Sequence, residues 1–564
     1  MRSNRLARAR VGMALAGLGT VVGGLGALVP STPSAAGPSF CAVTCAVYAP
    51  LADGPVRIFD SRAASGLPGA GETLPQNGVD VVDLPTTGTD EVPTGATAVV
   101  LNVTAVDATM PSYFTVYPTG DVSALQPGNQ DANFSNVNFF PGPPEASLVT
   151  VPIGTQNSVP AVSIYNHSGT ADAVVDLQGY EVPNPGDESG QFFPLAPSRI
   201  TDTRATSTFP NAGKTLGAGT TLPVQVTGQG GVPALSAGVS AVELNITATD
   251  TTANSFFTVW PDGQAQPLAS NLNWVSGEAI ANRVIVPVSQ SNGEIDVYNL
   301  SGDADLVVDV DGWFSGSTYA GTLGNGFVPI MPERVSDTRP GSGQPNEASP
   351  LGAGGTENVQ ITGTGGLDGV PAEDVTPVTA ADINVTEATS SAGGYLTVYP
   401  AIDLPPVASD VNFVAGDVIA NSEMVGLSPS GEVGIYNYTG TTNVVVDVFG
   451  YFTPVLQDTV AVTSSATNPI AKTTGTTTLT ITVTQGTADV PGDTVVVSES
   501  GTCGTFSDVS NSGATNMAGT EAVATTPASG QVTVLYTAGA AGSCTVTAGE
   551  LETDSSMNVT VTAA

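Results

Sequence analysis

The chain of 564 residues is poor in positive charge, with 13 lysines and arginines against 51 aspartates and glutamates and a formal net charge of −38. Such a surface repels phosphate backbones, which argues against nucleic acid as a partner. Histidine occurs once, as His167, which excludes catalysis or metal binding that needs several histidines. Charged residues are only 11% of the chain, whereas hydrophobic residues are 41%, enough for several cores.

Long apolar stretches are also scarce, and the only one lies near the N-terminus. Residues 1–36 contain four arginines, an apolar stretch from Val11 to Val29, and then small residues. This order is typical of a secretory signal peptide and predicts cleavage before Gly37. An uncleaved membrane anchor is the alternative, but the glycines of this stretch and Pro30 disfavour it. We therefore predict a secreted, extracellular protein, either released or associated with the cell wall, without a membrane span after cleavage.

Cysteine is rare as well, with Cys41, Cys45, Cys503 and Cys544 as its only occurrences. Four cysteines allow three pairings, and export permits disulfides. We predict the local scheme, Cys41–Cys45 and Cys503–Cys544. The second bridge would close a loop of about 42 residues and stabilise the fold by about 4 kcal/mol. A metal site is the weaker alternative, because no histidine lies near these cysteines.

Internal repetition, by contrast, is abundant. Six sequence blocks recur three times in the same order, which predicts three copies of one module at residues 48–182, 191–316 and 325–454. The first block reads Arg-x-x-Asp-x-Arg and the last reads Val-Val-Asp-x-x-Gly-aromatic. Together they place equivalent charged residues at Arg57, Asp60, Arg62 and Asp176, at Arg199, Asp202, Arg204 and Asp309, and at Arg334, Asp337, Arg339 and Asp447.

Each copy is predicted to consist of short strands separated by turns, and no long amphipathic helix pattern follows residue 36. The second copy has eight β-type runs, at residues 199–204, 221–226, 241–247, 255–260, 269–274, 281–288, 294–298 and 306–310. Eight short strands in about 130 residues predict an all-β fold of tandem β-sandwich modules, jelly-roll or Ig-like. A closed antiparallel barrel is the alternative.

The block order resembles a repeat that is common in secreted proteins of actinobacteria. The shared motifs are Arg-x-x-Asp-Thr-Arg, Leu-Asn-Val-Thr, Thr-Val-Tyr-Pro and Val-Val-Asp-Val-x-Gly-Tyr-Phe. The first copy departs from the last motif, because Glu181 follows Tyr180 where the other copies have a second aromatic. The resemblance implies an extracellular or cell-wall setting and brings no catalytic residues.

Residues 457–564 have a different composition, which is rich in threonine and valine and poor in aromatic residues. The stretch Val490-Pro-Gly-Asp-Thr-Val-Val-Val-Ser and the block from Gly530 to Gly539 resemble a bacterial Ig-like domain of the invasin/intimin type, Big-1. This resemblance implies a C-terminal Ig-like sandwich that acts in spacing or surface attachment.

The twelve charged residues of the first and last blocks are interpreted as structural ion pairs. Arginine matches carboxylate geometry with two parallel hydrogen bonds, and Asp176, Asp309 and Asp447 of the closing strands are the expected partners. The alternative is a binding site for an anion or a uronate. We favour the structural interpretation, because an identical set in every module suits a requirement of the fold.

All three tryptophans, Trp260, Trp274 and Trp313, lie in the second copy. They are candidates for a ligand-binding platform that stacks on sugars. The alternative places them in the core, because the other copies have tyrosine or phenylalanine at the matching positions.

A calcium site is the only cofactor that the sequence suggests. Asp303, Asp305, Asp309 and Asp311 form the densest group of acids. Because the EF-hand spacing is absent, they are weak candidates, and no other metal or cofactor is predicted.

The sequence thus predicts an elongated, secreted four-domain protein of the cell envelope that is structural or adhesive and non-catalytic. Three similar modules suit multivalent binding or spacing, with a cell-wall or extracellular glycan or a surface protein as partner. One alternative is a carbohydrate-binding protein that recognises cell-wall or environmental polysaccharide. The second alternative is a polysaccharide hydrolase.

Overall fold

The structure is a computed structural model that describes residues 45–564 with gaps. The gaps are 89–90, 121–133, 185–188, 365–368, 373–376, 403, 456–457, 465–475, 486–487, 490–493, 501–503, 511–514, 518–520, 526–530, 539–541, 551–555 and 564. Beyond Val455, the strands and only a few side chains are described. The predicted signal peptide therefore lies outside the described residues.

The described residues form strands and a single 3-10 turn, Leu235–Ala237, without an α-helix. Repeat 1 contains β1 (Ala46–Pro50), β2 (Val56–Asp60), β3 (Val79–Asp83), β4 (Ala98–Val106), β5 (Ser112–Pro118), β6 (Val137–Phe139), β7 (Glu145–Pro152), β8 (Gly154–Gln156), β9 (Val159–Asn166) and β10 (Asp172–Pro183). Repeat 2 contains β11 (Phe192–Asp202), β12 (Thr220–Gln225), β13 (Val239–Thr249), β14 (Ser255–Pro261), β15 (Leu272–Trp274), β16 (Ile280–Pro287), β17 (Glu294–Asn299) and β18 (Asp305–Ser315).

The same order continues in the rest of the chain. Repeat 3 contains β19 (Asn325–Asp337), β20 (Thr356–Gln360), β21 (Ala380–Ala388), β22 (Gly394–Pro400), β23 (Val411–Phe413), β24 (Val418–Gly426), β25 (Glu432–Asn437) and β26 (Asn443–Pro454). The last domain contains β27 (Asp458–Ser464), β28 (Thr476–Gln485), β29 (Ala488–Asp489), β30 (Thr494–Ser500), β31 (Gly504–Ser510), β32 (Thr515–Met517), β33 (Glu521–Thr525), β34 (Gln531–Ala538), β35 (Gly542–Glu550) and β36 (Ser556–Ala563). The all-β prediction is confirmed.

Each repeat is a sandwich of two antiparallel sheets. In repeat 2 the sheet orders are β11-β18-β13-β16 and β12-β17-β14-β15. Alternate residues of a strand face the same side, so Leu244 and Ile246 of β13 meet Val259 of β14 and Ile295 of β17 in the core between the sheets. Repeats 1 and 3 pack separate cores in the same way.

The three repeats are not independent modules. Strand β19 of repeat 3 pairs with β1 of repeat 1 at Ala46–Phe327 and with β11 of repeat 2 at Phe192–Asn325. These bridges join one sheet from each repeat into a single assembly of 13 strands. Repeats 1, 2 and 3 therefore share backbone hydrogen bonds with one another.

The repeats also share a hydrophobic core of their own. The structure places aromatic residues at equivalent positions of β1, β11 and β19, and again at the ends of β18 and β26. Their ring centroids are 4.5–5.1 Å apart in the order Tyr48, Phe314, Phe192, Phe452 and Phe327. Glu181 of β10 occupies the sixth equivalent position, opposite Tyr48, and is fully buried.

The glycine of each Val-Val-Asp-x-x-Gly block lies directly under one of these rings. A Cβ atom at Gly450 would overlap the ring of Phe327, and one at Gly312 would overlap the ring of Phe192. We expect Gly450→Ala to lower the free energy of unfolding by about 1–3 kcal/mol, because the shared core must expand. Urea unfolding of the full chain measures this effect.

The matched control is Gly352→Ala, since this exposed glycine has open space around its Cβ position. It should change the free energy of unfolding by less than about 1 kcal/mol. Equal effects of the two substitutions would contradict a close contact at Gly450.

Candidate functional site

The three repeats contact one another in a closed cycle through one asparagine of each. Asn102 of repeat 1 donates a hydrogen bond to the carbonyl oxygen of Ser270 in repeat 2, at 2.7 Å. Asn245 of repeat 2 makes the same contact with Ser409 of repeat 3, at 2.6 Å. Asn384 of repeat 3 closes the cycle on Ser135 of repeat 1, at 2.7 Å. Repeats 1, 2 and 3 therefore form a pseudo-threefold ring, hereafter the ring.

A second asparagine reinforces two of the three interfaces. Asn282 donates to the side-chain oxygen of Asn102 at 2.9 Å, and Asn421 donates to that of Asn245 at 3.0 Å. Repeat 1 has Ser147 at this position, by strand register. Asn102, Asn245 and Asn384 therefore each bond the backbone of a neighbouring repeat.

The structure brings the arginines and aspartates of the first and last blocks together. In repeat 2, Arg199 donates two hydrogen bonds to the buried Asp309, both at 2.9 Å. Arg204 likewise donates to Asp202, at 2.9 and 2.7 Å. The same contacts join Arg57 with Asp176 and Arg62 with Asp60, and Arg334 with Asp447 and Arg339 with Asp337.

The two carboxylates of each set have opposite electrostatic environments. Burial raises the pKa of Asp309, although Arg199 acts against this effect. Burial also acts to raise the pKa of Asp202, but the hydrogen bonds and charge of Arg204 lower it overall. The first carboxylate anchors a buried pair at the ring interface, and the second remains ionised beside a half-exposed arginine.

A cleft of about 290 Å³ opens between repeats 3 and 1, and we call it the Arg334 cleft. Its walls include Tyr113, Ser135 and Asn138 of repeat 1 and Arg334, Arg339 and Thr386 of repeat 3. The ring of Tyr113 stacks on the ring of His167, with centroids 4.7 Å apart. The Tyr113 hydroxyl lies 3.2 Å from Nδ1 of His167. The single histidine therefore supports an aromatic wall.

The cleft is polar but balanced in charge. Arg334 and Arg339 each hold a partner carboxylate, on Asp447 and Asp337. The arginine side chains are 18% and 46% exposed, so only the second reaches far into solvent. This arrangement suits a ligand with hydroxyl groups and an apolar face better than a strongly charged anion.

The tryptophans do not form an exposed platform. Trp260, Trp274 and Trp313 are 3%, 1% and 4% exposed. Trp260 and Trp274 donate their indole N–H groups to backbone oxygens of Gln264 and Ala253, and Trp313 stacks on Phe193. A buried ring cannot stack on a sugar, so the ligand-binding assignment of these three residues is wrong. Trp274 and Trp313 belong to the core of repeat 2, and Trp260 is buried apart from that cluster.

The calcium candidates do not converge either. Asp303 is exposed, while Asp305 accepts hydrogen bonds from Thr203 and Thr215. Asp309 belongs to the Arg199 pair. The remaining candidate, Asp311, instead groups with Asp410 and Glu423 of repeat 3, which the sequence analysis did not select.

The cysteine pairings remain predictions. Cys45 is buried against Val328 and Val455. Cys41 and Cys503 lie outside the described residues, as does the side chain of Cys544. Among the described residues, no helix is long and apolar enough to cross a membrane.

Comparison with known proteins adds no assignment to this geometry. No protein-family model matches the chain, and no curated protein matches its sequence.

Proposed function

We propose that this chain is a secreted, non-catalytic binding and spacing protein of the cell envelope. Repeats 1–3 would act as one binding body, and the Ig-like last domain would act as the spacer or attachment segment. The closed ring of repeats is the observation that carries the proposal, because it repeats one interface three times on a single body.

The three interfaces of the ring support multivalent binding. The walls of the Arg334 cleft have counterparts in Arg199, Arg204, Tyr395 and Asn412 at the interface of repeats 2 and 3, and in Arg57, Arg62, Phe256 and Asn273 at that of repeats 1 and 2. Tyr395 stacks on Tyr438, as Tyr113 stacks on His167. Weak contacts at several interfaces on one body would gain avidity from their high effective concentration.

Carbohydrate binding is the second candidate, and the Arg334 cleft supports it. Sugars offer an apolar face for Tyr113 and hydroxyl groups for Asn138 and Arg339. The partner would be a cell-wall or extracellular glycan, with a surface protein as the other class.

A polysaccharide hydrolase finds less support. Glycoside hydrolysis by the common route needs two carboxyl groups about 5–10 Å apart beside the substrate. The described residues that line the Arg334 cleft include no aspartate or glutamate.

Binding of the full chain to cell-wall fractions and to an array of glycans tests the proposal. We expect Tyr113→Ala to weaken binding about tenfold, the equivalent of about 1.4 kcal/mol, through loss of the stacking face. Tyr298→Ala, a half-buried tyrosine on β17 outside the cleft walls, is the matched control and should bind as the unchanged chain does.

Two results would contradict the proposal. Release of sugar fragments from a bound polysaccharide would make the protein an enzyme. Failure to bind any wall fraction, glycan or surface protein would remove the binding role.

A further inference from the structure

Three carboxylates converge in the interior of the interface between repeats 2 and 3. Asp311 extends from β18 of repeat 2, while Asp410 and Glu423 belong to repeat 3. One carboxylate oxygen from each residue lies within 4.8 Å of the chosen oxygens of the other two. The three residues are 1%, 1% and 2% exposed, so water does not separate these charges from the protein interior.

Most oxygens of this group have no hydrogen-bond partner. Both oxygens of Glu423 and Oδ1 of Asp410 accept no hydrogen bond, while Oδ2 of Asp410 accepts one from the Val398 amide at 2.6 Å. The two oxygens of Asp311 have only the backbone amide of Asn245 nearby. Buried polar oxygens normally have partners, so these unpaired oxygens are available to bind a ligand.

A fourth buried carboxylate lies close enough to the trio to interact with it. Glu243 interacts electrostatically with all three carboxylates, and its Oε2 is also buried without a partner. Arg283 interacts electrostatically with Glu423, and Arg199 does so with Asp410. Each arginine also pairs with another carboxylate, Arg283 with Asp382 at 2.9 Å and Arg199 with Asp309 at 2.9 Å.

The other two interfaces of the ring serve as internal comparisons. A β-bulge at Asp311 turns its side chain toward the next repeat, and the same bulge occurs in β10 and β26. By strand register and block order, the equivalent trios are Gln178, Asn271 and Val284 at one interface and Phe449, Asn136 and Val149 at the other. Neither trio carries charge, so the ring fold itself does not require acids at these positions.

We propose that Asp311, Asp410 and Glu423 bind one calcium ion that joins repeat 2 to repeat 3. Carboxylate oxygens are the ligands that calcium prefers, and three carboxylates can supply up to six oxygens. The trio offers neither the nitrogen nor the sulfur ligands that zinc prefers. A dry interior is a poor site for magnesium, which keeps several bound waters.

The position of the three carboxylates explains how a bound ion would stabilise this interface. A divalent cation compensates two of the three negative charges and gives a partner to the oxygens of Glu423, which accept no hydrogen bond. Because the ligands come from two repeats, the ion stabilises the contact between the repeats. The alternative to a bound cation is protonation, which would make all three side chains neutral carboxylic acids.

Calcium titration of the full chain, after removal of metal with EDTA, tests the proposal. We expect calorimetry to report one tight calcium per chain and the midpoint of thermal unfolding to rise by at least about 5 °C in saturating calcium. Magnesium at the same concentration should raise it less. A terbium luminescence titration at pH 7 gives an independent readout of the same site.

Two variants distinguish calcium binding at this site from calcium binding to other acidic residues of the chain. The triple variant Asp311→Gln, Asp410→Asn, Glu423→Val copies the trio of the interface between repeats 1 and 2, so it should fold and lose both the tight calcium and the thermal shift. The control Asp303→Asn removes an exposed acid of the same strand region and should keep both.

The proposal is overturned if the unchanged chain binds no tight calcium and shows no thermal shift, since protons would then be the occupant. It is equally overturned if the triple variant binds calcium as tightly as the unchanged chain. Neither result depends on glycan binding, so this test is separate from that of the proposed function.

Discussion

Replacement of Arg283 by leucine is expected to lower the free energy of unfolding by about 3–5 kcal/mol. Arg283 is fully buried at the interface of repeats 2 and 3, where it donates to Asp382 at 2.9 Å and lies 3.5 Å from Glu243. Removing the cation leaves these buried carboxylates without compensation, which costs more than the lost contact itself. Urea unfolding of the full chain at neutral pH measures the loss.

Repeat 1 indicates which further substitutions should restore the stability that Arg283→Leu loses. By strand register, its residues at the positions of Arg283 and Glu243 are Leu148 and Val100. The triple variant Arg283→Leu, Glu243→Val, Asp382→Val should therefore recover most of the loss, because the two carboxylates that Arg283 contacts are removed together with it. A triple variant as unstable as Arg283→Leu alone would show that these charges do not act as one group.

The second large effect is a dependence of the free energy of unfolding on pH, caused by Glu181. Burial raises the pKa of Glu181 from its ordinary value of 4.5 to about 8, and the charge of Asp382 adds to the shift. The folded chain therefore holds a proton on Glu181 between these pH values that the unfolded chain has released. Its stability should fall as pH rises through this range, by about 1.4 kcal/mol per pH unit for this group.

Glu181→Gln should remove this contribution, because glutamine keeps the shape without the charge. We expect the variant to gain stability relative to the unchanged chain at about pH 8 and to gain little at about pH 5. Urea unfolding at the two pH values measures the difference. Asp53→Asn, at an exposed acid, should give the same small change at both, and a Glu181→Gln variant that behaves like this control would contradict the buried charge.

The position of Glu181 also explains a departure that the sequence analysis noted in the first repeat. Repeats 2 and 3 have Phe314 and Phe452 at this position, and both rings belong to the shared core. The sequence shows that Glu181 differs from the residues at the matching positions of the other repeats. It does not show that this position faces the shared core, because the sequence of one repeat does not indicate how three repeats pack together. For the same reason, the sequence does not reveal the role of Arg283 at an interface. In the sequence, Arg283 stands out only because it is a cation outside the recurring blocks.

Local patterns predicted the strands well. All eight predicted strands of repeat 2 overlap observed strands, because alternation of apolar and polar residues directly reflects the two faces of a sheet. The pairing of Arg199 with Asp309 was accessible for a similar reason, since a chain with few cations that keeps two arginines in the same block of every repeat needs carboxylate partners for them.

The sequence by itself determined the repeated all-β unit, its strands and the residue types of its ion pairs, because these depend on periodicity and on charge pairing within one repeat. Only the tertiary structure decided the ring, the shared core and the contacts of Asp311 with Asp410 and Glu423. A β-bulge turns Asp311 away from the face that simple alternation assigns to it, toward residues about 100 positions later in the chain. Bulges and contacts between repeats leave no periodic signal, so they emerge only when the three sandwiches are packed together.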